Sequence, residues 1–159
     1  MSAIRIPVHM RWTDLDAYGH VNNAAMLTLL EEARIAAFWS DGSSSDGSTA
    51  AIGSAATKVL SGGPASDTRT LVARQEIEYL APLDYSQKPV DVELWIGRIG
   101  GASLLICYQI RGAQDRVCAK AASSIVKVDA ATGAPVRFDA TEREALQPLL
   151  DDELEFRRR

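Results

Sequence analysis

Cysteine is almost missing from this sequence. Cys107 and Cys118 are the only two in 159 residues, and their spacing suits neither a metal nor a redox couple. A disulfide framework is thereby excluded, and the aliphatic neighbours of both residues predict buried thiols in a reducing compartment. Long apolar runs are missing too: no stretch approaches the roughly 20 residues that a membrane-spanning helix needs. The first dozen residues lack the continuous apolar core of a secretory signal, so a cytoplasmic location and no membrane partner are expected. Positive charge is in deficit, with seventeen Lys and Arg against twenty-one Asp and Glu and a formal charge of -4. The one basic run, Arg157 to Arg159, lies at the extreme C-terminus, where fraying is expected. Nucleic acid is therefore not an expected partner. Nothing resembles a Ser-His-Asp arrangement, a phosphate loop or a zinc cluster, and no metal site is expected.

What remains is ordinary globular material, 47% hydrophobic and 24% charged. A chain of this length buries roughly two thirds of its unfolded surface, so residues 1–159 are read as one domain around one core. Loose alternation over residues 4 to 13 predicts a first strand. From Ala24 to Trp39 the apolar residues spread nearly all round a helical wheel, which predicts a helix buried on most sides, with Asn22 or Asn23 as its N-cap. Residues 40–69 are rich in Gly, Ser, Ala and Thr and are read as a flexible loop, with room for a short helix within Ala50 to Leu60. Four strand-like runs follow: Leu71 to Leu80, Pro89 to Ile96, Ser103 to Arg111 and Val117 to Val128. The last two are joined as a hairpin through Gly112 to Asp115. Thr141 and Glu144 have capping-box spacing for a terminal helix that Pro148 should end. An α+β domain follows, in which one antiparallel five-stranded sheet curls around the long helix.

The chemistry concentrates in Arg11-Trp12-Thr13-Asp14-Leu15-Asp16-Ala17-Tyr18-Gly19-His20-Val21-Asn22-Asn23. This segment joins a strand to the start of a buried helix. First-turn amides and the positive end of the helix dipole can polarise a carbonyl and stabilise an oxyanion there. A carboxylate just before that turn can attack the carbonyl or activate water against it. Such an Asp also serves commonly as a turn or cap residue. Asp14 is read as structural, paired with Arg11. Asn22 is read mainly as a cap, and His20 either as a wall of the site or as a structural donor. Glu31 and Glu32 have suitable chemistry for the same role, but pairing with Arg34 or Arg74 is the preferred reading.

The pattern Asp14-x-Asp16-x-x-Gly19-His20-Val21-x-Asn23 resembles the signature of the 4-hydroxybenzoyl-CoA thioesterase branch of the hotdog superfamily. Asp14-Leu15-Asp16 followed by His20-Val21-Asn22-Asn23 is also similar to a segment of acyl-acyl carrier protein thioesterases. Glu32-Ala33-Arg34, the run Val72 to Leu83 and Ile99 to Ser103 match as well. The resemblance implies a hotdog fold and an acyl-CoA thioesterase that releases a fatty or aromatic acid and coenzyme A. Asp16 becomes the nucleophile or general base, and the amide of Asn23 the carbonyl polariser. Tyr18, Gly19, His20, Val21 and Asn22 are assigned to substrate binding, and Arg98 to the nucleotide phosphates. Tyr18 departs from the carrier-protein thioesterases, which have Asn there. Gly100 and Gly101 stand where some coenzyme A thioesterases carry basic residues. No cofactor is expected, since coenzyme A is part of the substrate, and a homodimer or homotetramer is implied. Other readings are an acyl-acyl carrier protein thioesterase, a hotdog enoyl-CoA hydratase, and a non-catalytic acyl-CoA-binding domain. The hydratase run Asp-x-Asn-Pro-x-His is not matched, because the Asn-Pro pair is missing.

Overall fold

The computed structural model describes residues 3–40, 59–61 and 64–157. Strand β1 (Ile4–Val8) leads through a 3-10 turn (Trp12–Asp14) to helix α1 (Asn23–Phe38), 16 residues long. Two short strands, β2 (Trp39–Ser40) and β3 (Leu60–Ser61), pair in parallel. Then come β4 (Thr68–Tyr79), β5 (Val90–Ile99), β6 (Ser103–Arg111), β7 (Val117–Asp129) and helix α2 (Ala140–Leu146). The main sheet has five strands in the order β1-β5-β6-β7-β4, antiparallel throughout. The outcome is an α+β domain with α1 against one face of that sheet.

Alternation explains which face is covered. Side chains two apart on a strand share a face, so Val90, Val92, Leu94 and Ile96 of β5 and Leu104, Ile106, Tyr108 and Ile110 of β6 all turn inward and are buried. Helix α1 meets them with Met26, Leu29, Leu30, Ala33, Ala37 and Phe38. Its burial is one-sided, which corrects the expectation of a helix covered on most sides: Thr28, Glu31, Glu32 and Ala36 are exposed. Arg34 falls on the buried face, four residues after Leu30, and its guanidinium donates to Tyr108 Oη at 3.3 Å. Ion pairs between Glu31 or Glu32 and Arg34 or Arg74 are not formed among the described residues. Arg74 lies instead 3.4 Å from Glu76.

Several boundaries move. The first strand stops at Val8, because the chain turns at Trp12 to Asp14. The fourth begins at Thr68, and a bulge between Val72 and Arg74 interrupts its alternation. Most of the expected loop, including the short helix placed within Ala50 to Leu60, lies outside the described residues. Leu60 itself is a buried strand residue. The cap of α2 is Asp139, whose side chain accepts from the Glu142 amide at 2.8 Å, two residues ahead of the expected Thr141 box. Beyond Pro148 the chain does not fray at once. Residues 150–157 cross the outer face of the sheet, where Trp95 Nε1 donates to the Asp152 carbonyl and Lys120 to that of Glu155. Arg157 closes this strap on Glu78 through both its amide and its guanidinium. Both cysteines are free and buried, as expected.

Asp14 fixes the entry to α1. It is buried, its carboxylate accepts from the Arg11 guanidinium at 2.9 Å and the Arg11 amide at 2.7 Å, and its carbonyl accepts from the Asn22 amide at 2.7 Å. Burial alone would raise its carboxyl, but the Arg11 bonds outweigh that and hold it below the usual carboxylate range. Because the folded value lies below the unfolded one, this stabilisation is present at neutral pH. It is lost as the pH falls below roughly 4, the ordinary Asp value, and through the folded value. Asp14→Asn is expected to cost about 2 kcal/mol at neutral pH, the range for weakening buried charge-assisted bonds. Urea unfolding across pH 2 to 7 checks this: the variant should be less stable at pH 7 and show a shallower acid decline, and parental values at both ends would contradict it.

Candidate active site

Residues 15 to 21 form a small hairpin. Leu15 and Val21 bridge each other, the Asp16 amide donates to the His20 carbonyl at 2.8 Å, and the Gly19 amide donates back to the Asp16 carbonyl at 3.2 Å. Gly19 has φ 77°, a left-handed conformation that a side chain would strain. One oxygen of Asp16, Oδ1, accepts from the amides of Tyr18 at 2.8 Å and His20 at 3.1 Å. The turn is thus closed by the carboxylate itself, and only Oδ1 is used. Oδ2 has no hydrogen-bond partner among the described residues.

The helix start accounts for its donors one by one. The Val21 amide bonds the Leu83 carbonyl at 2.9 Å, and the Asn22 amide that of Asp14. Asn22 is the cap: its side chain accepts from the Ala24 amide at 2.8 Å, and its carbonyl accepts from Met26. Between them the Asn23 amide is left with no acceptor among the described residues. An orphan N–H at the first helical position is the usual consequence of helix geometry, and it points where a ligand oxygen can take it.

Both groups border one cavity of about 400 Å³. Asp16, His20, Val21 and Asn23 line one side with Met26 behind them, and Tyr79, Leu80, Ala81 and Pro82 from the end of β4 line the other. The walls are largely apolar around a carboxylate, an imidazole and an orphan amide. His20 Nε2 lies 3.7 Å from Asp84 Oδ1, and their backbones bridge, so the imidazole is held at the rim.

The expected site residues are therefore brought together unequally. Asp16, His20, Val21 and Asn23 share the cavity, whereas Gly19 and Asn22 shape the turn and the cap beside it. The Tyr18 ring stands 84% exposed at the tip of the turn and does not line the cavity. Arg98 is not part of this site in the single chain. Past the bulge between Ile96 and Arg98 it lies exposed beside the C-terminal strap, 3.4 Å from Glu153, and lines a separate cavity. Tyr79 is the residue that sequence reasoning missed. Its place on the inward face of a strand ending at Leu80 was the available signal, and only the fold shows that this end abuts the helix start.

No group of three or more His, Cys, Asp and Glu among the described residues is arranged to hold a metal ion. No described helix is long and apolar enough to cross a membrane. No curated protein matches the sequence. Solved structures do. A predicted thioesterase from Bacillus stearothermophilus superposes with a TM-score of 0.70 at 24% identity, covering 95% of this chain and 98% of that one. A thioesterase from Thermus thermophilus, complexed with coenzyme A and zinc, gives 0.63 at 24% identity, over 92% of this chain and 93% of that one. A DHNA-CoA thioesterase from Staphylococcus aureus gives 0.69 at 15% identity, over 91% and 89%. The family model of the thioesterase-like superfamily matches residues 10–147, which takes in the hairpin, α1 and every strand of the sheet except β1. The chain belongs to the thioesterase-like superfamily, a family of thioester hydrolases, in keeping with the reaction class expected from its sequence.

Proposed function

We propose that this chain is a hotdog-fold acyl-CoA thioesterase, a single domain over residues 1–159, with Asp16 as its carboxylate and the Asn23 amide as its oxyanion donor. One observation carries the reading: a carboxylate oxygen and a helix-start amide, both without a partner among the described residues, border the same largely apolar cavity. The thioester carbonyl oxygen accepts from the Asn23 amide, whose polarity is reinforced by the helix dipole. Asp16 Oδ2 then attacks the carbonyl carbon, or takes a proton from a water that does so. Collapse of the tetrahedral intermediate expels the thiolate of coenzyme A, which takes up the proton. Where water attacked, the free acid leaves directly; where Asp16 attacked, water hydrolyses the acyl-Asp16 anhydride to the acid and restores the carboxylate. Met26, Val21 and Leu80 offer the acyl group an apolar surface, and His20 forms the wall beside the reacting carbon.

We infer that two copies join through β4. It is a 12-residue edge strand, paired on one side to β7 alone, and it leaves Leu71 and Val72 half exposed. A long edge with a row of unpaired backbone groups invites pairing with another strand, and a second copy supplies a self-complementary one. The other half of the cavity rim, and basic groups for the nucleotide phosphates, would come from that copy. Sedimentation should give a dimer or a tetramer built as a dimer of dimers, and a stable, fully active monomer would contradict the reading.

The assignment of Asp16 is tested by charge removal at constant shape. Asp16→Asn retains an oxygen for the Tyr18 and His20 amides but can neither attack nor accept a proton, so thiol release should fall at least about a hundredfold. KM should change far less. The assay is thiol release over short, medium, long and aromatic acyl-CoAs together with acyl-acyl carrier protein. Near-parental turnover in Asp16→Asn, with Glu31→Gln or Glu32→Gln inactive, would move the site to the helix.

A further inference from the structure

Tyr79 ends β4 opposite Ala119 of β7, on the cavity side of the sheet, and its ring stands in the wall facing Asp16. Its hydroxyl donates to the Asn23 carbonyl at 2.7 Å, between residues 56 positions apart in the chain. That bond is not needed to satisfy the carbonyl. A carbonyl in the first turn of an α-helix accepts from the amide four residues on, so the hydroxyl takes its second lone pair. Nor is the ring there to fill the core, since Tyr79 remains 44% exposed. What the bond does is join the two walls of the cavity across its mouth, at the residue whose amide is the oxyanion donor.

We propose that Tyr79 is a positioning residue for thioester hydrolysis, its hydroxyl holding the first turn of α1, and with it the Asn23 amide, in register with the Asp16 carboxylate. The inference rests on the reading that Asn23 and Asp16 act together on the thioester. Oxyanion stabilisation is a matter of fractions of an ångström, so a tether at residue 23 acts on turnover where a bond elsewhere in the fold acts only on stability. Burial raises the Tyr79 hydroxyl above its ordinary value, so the donor keeps its proton throughout the neutral range. The opposite face of the same strand end is also fixed. Glu78, the preceding residue, is held on the other face by Lys120 and Arg157, so the hydroxyl pulls against an anchored strand.

Tyr79→Phe removes the hydroxyl and keeps the ring, so the wall and the acyl surface persist. In the full-length protein, kcat on the best acyl-CoA of the panel should fall about tenfold, with KM within about twofold of the parent, inside the range that small misplacements cost. Amide exchange at residues 23 to 26 should quicken in the variant while the sheet stays protected. Tyr85→Phe, whose ring packs edge-on against Trp12 away from the cavity lining, is the control and should keep parental kcat. Parental kcat in Tyr79→Phe overturns the proposal while leaving the thioesterase reading intact. A variant that fails to fold, or loses stability at unchanged kcat, makes the hydroxyl an architectural bond and overturns it as well. A parent that releases no thiol from any thioester overturns the reading beneath it.

Discussion

The burial of Asp14 is the constraint on which the site rests. A carboxylate out of water is costly unless its charge is compensated, and here one residue, Arg11, supplies both a guanidinium and an amide. With the charge settled, the Asp14 carbonyl is fixed to receive the Asn22 amide, and Asn22 is thereby placed to cap α1. The hairpin from Leu15 to Val21 is then closed at its open end by the bond between Asp14 and Asn22, and tied beside it to the Leu83 carbonyl through the Val21 amide. The orphan amide of Asn23 is the remainder of this accounting. It stays available while the Val21, Asn22 and Ala24 amides on either side of it are taken.

The sheet supplies the rest of the precision. Fully buried side chains such as Phe38, Leu30, Ile96 and Ile106 each stabilise by roughly 1.5 to 3 kcal/mol relative to exposure, and they lock α1 against β5 and β6. Its outer face receives the strap of residues 150–157, which crosses from Ile96 on β5 to Glu78 on β4. A basic C-terminal residue that reads as frayed in the sequence is thus a clasp on the strand whose end forms the cavity wall. The bridging ion pairs are partly exposed and contribute little individually, so the strap acts by covering Cys107 and its neighbours more than by charge.

The order of elements was legible because periodicity reports faces. Val90, Val92, Leu94 and Ile96 alternate cleanly in the sequence and are buried together on one face, with Glu93 buried as well on the other. The Gly112 to Asp115 turn joined β6 to β7 as expected, with Gln114 and Asp115 taking positive φ. Small apolar residues misled. Ala24 and Ala36 count as apolar on a wheel yet cost little when exposed, so a helix covered on one side read as one covered all round. Arg34 misled in the opposite direction, since a charge is expected to seek a charge and this one bonds a phenol inside the core. The cap of α2 was missed because Asp139 offers the same chemistry as Thr141 two residues earlier. Within the site, the local parts were readable: turn, cap and carboxylate all lie within ten residues. Tyr79 was not, because its bond to Asn23 depends on where the sheet ends relative to the helix, and no local pattern encodes that distance.

The two readings of Asp16, turn former and reactive carboxylate, are divided between its oxygens. An Asp that closes a turn with one oxygen has its side-chain torsions fixed by that bond, and the second oxygen inherits the orientation. In a free side chain the same orientation would have to be reached against rotamer entropy at every encounter with substrate. The Tyr18 and His20 amides therefore do for Oδ2 what Arg11 does for the helix start: they spend hydrogen bonds on structure so that one neighbouring group is both unpartnered and immobile. Preorganised groups of that kind are the ones that stabilise a transition state without reorganising during it. A turn residue is in this sense a better candidate for the chemistry than a carboxylate with no structural role at all, and the Asx geometry that argues for the plain reading of Asp16 is a condition of the functional one.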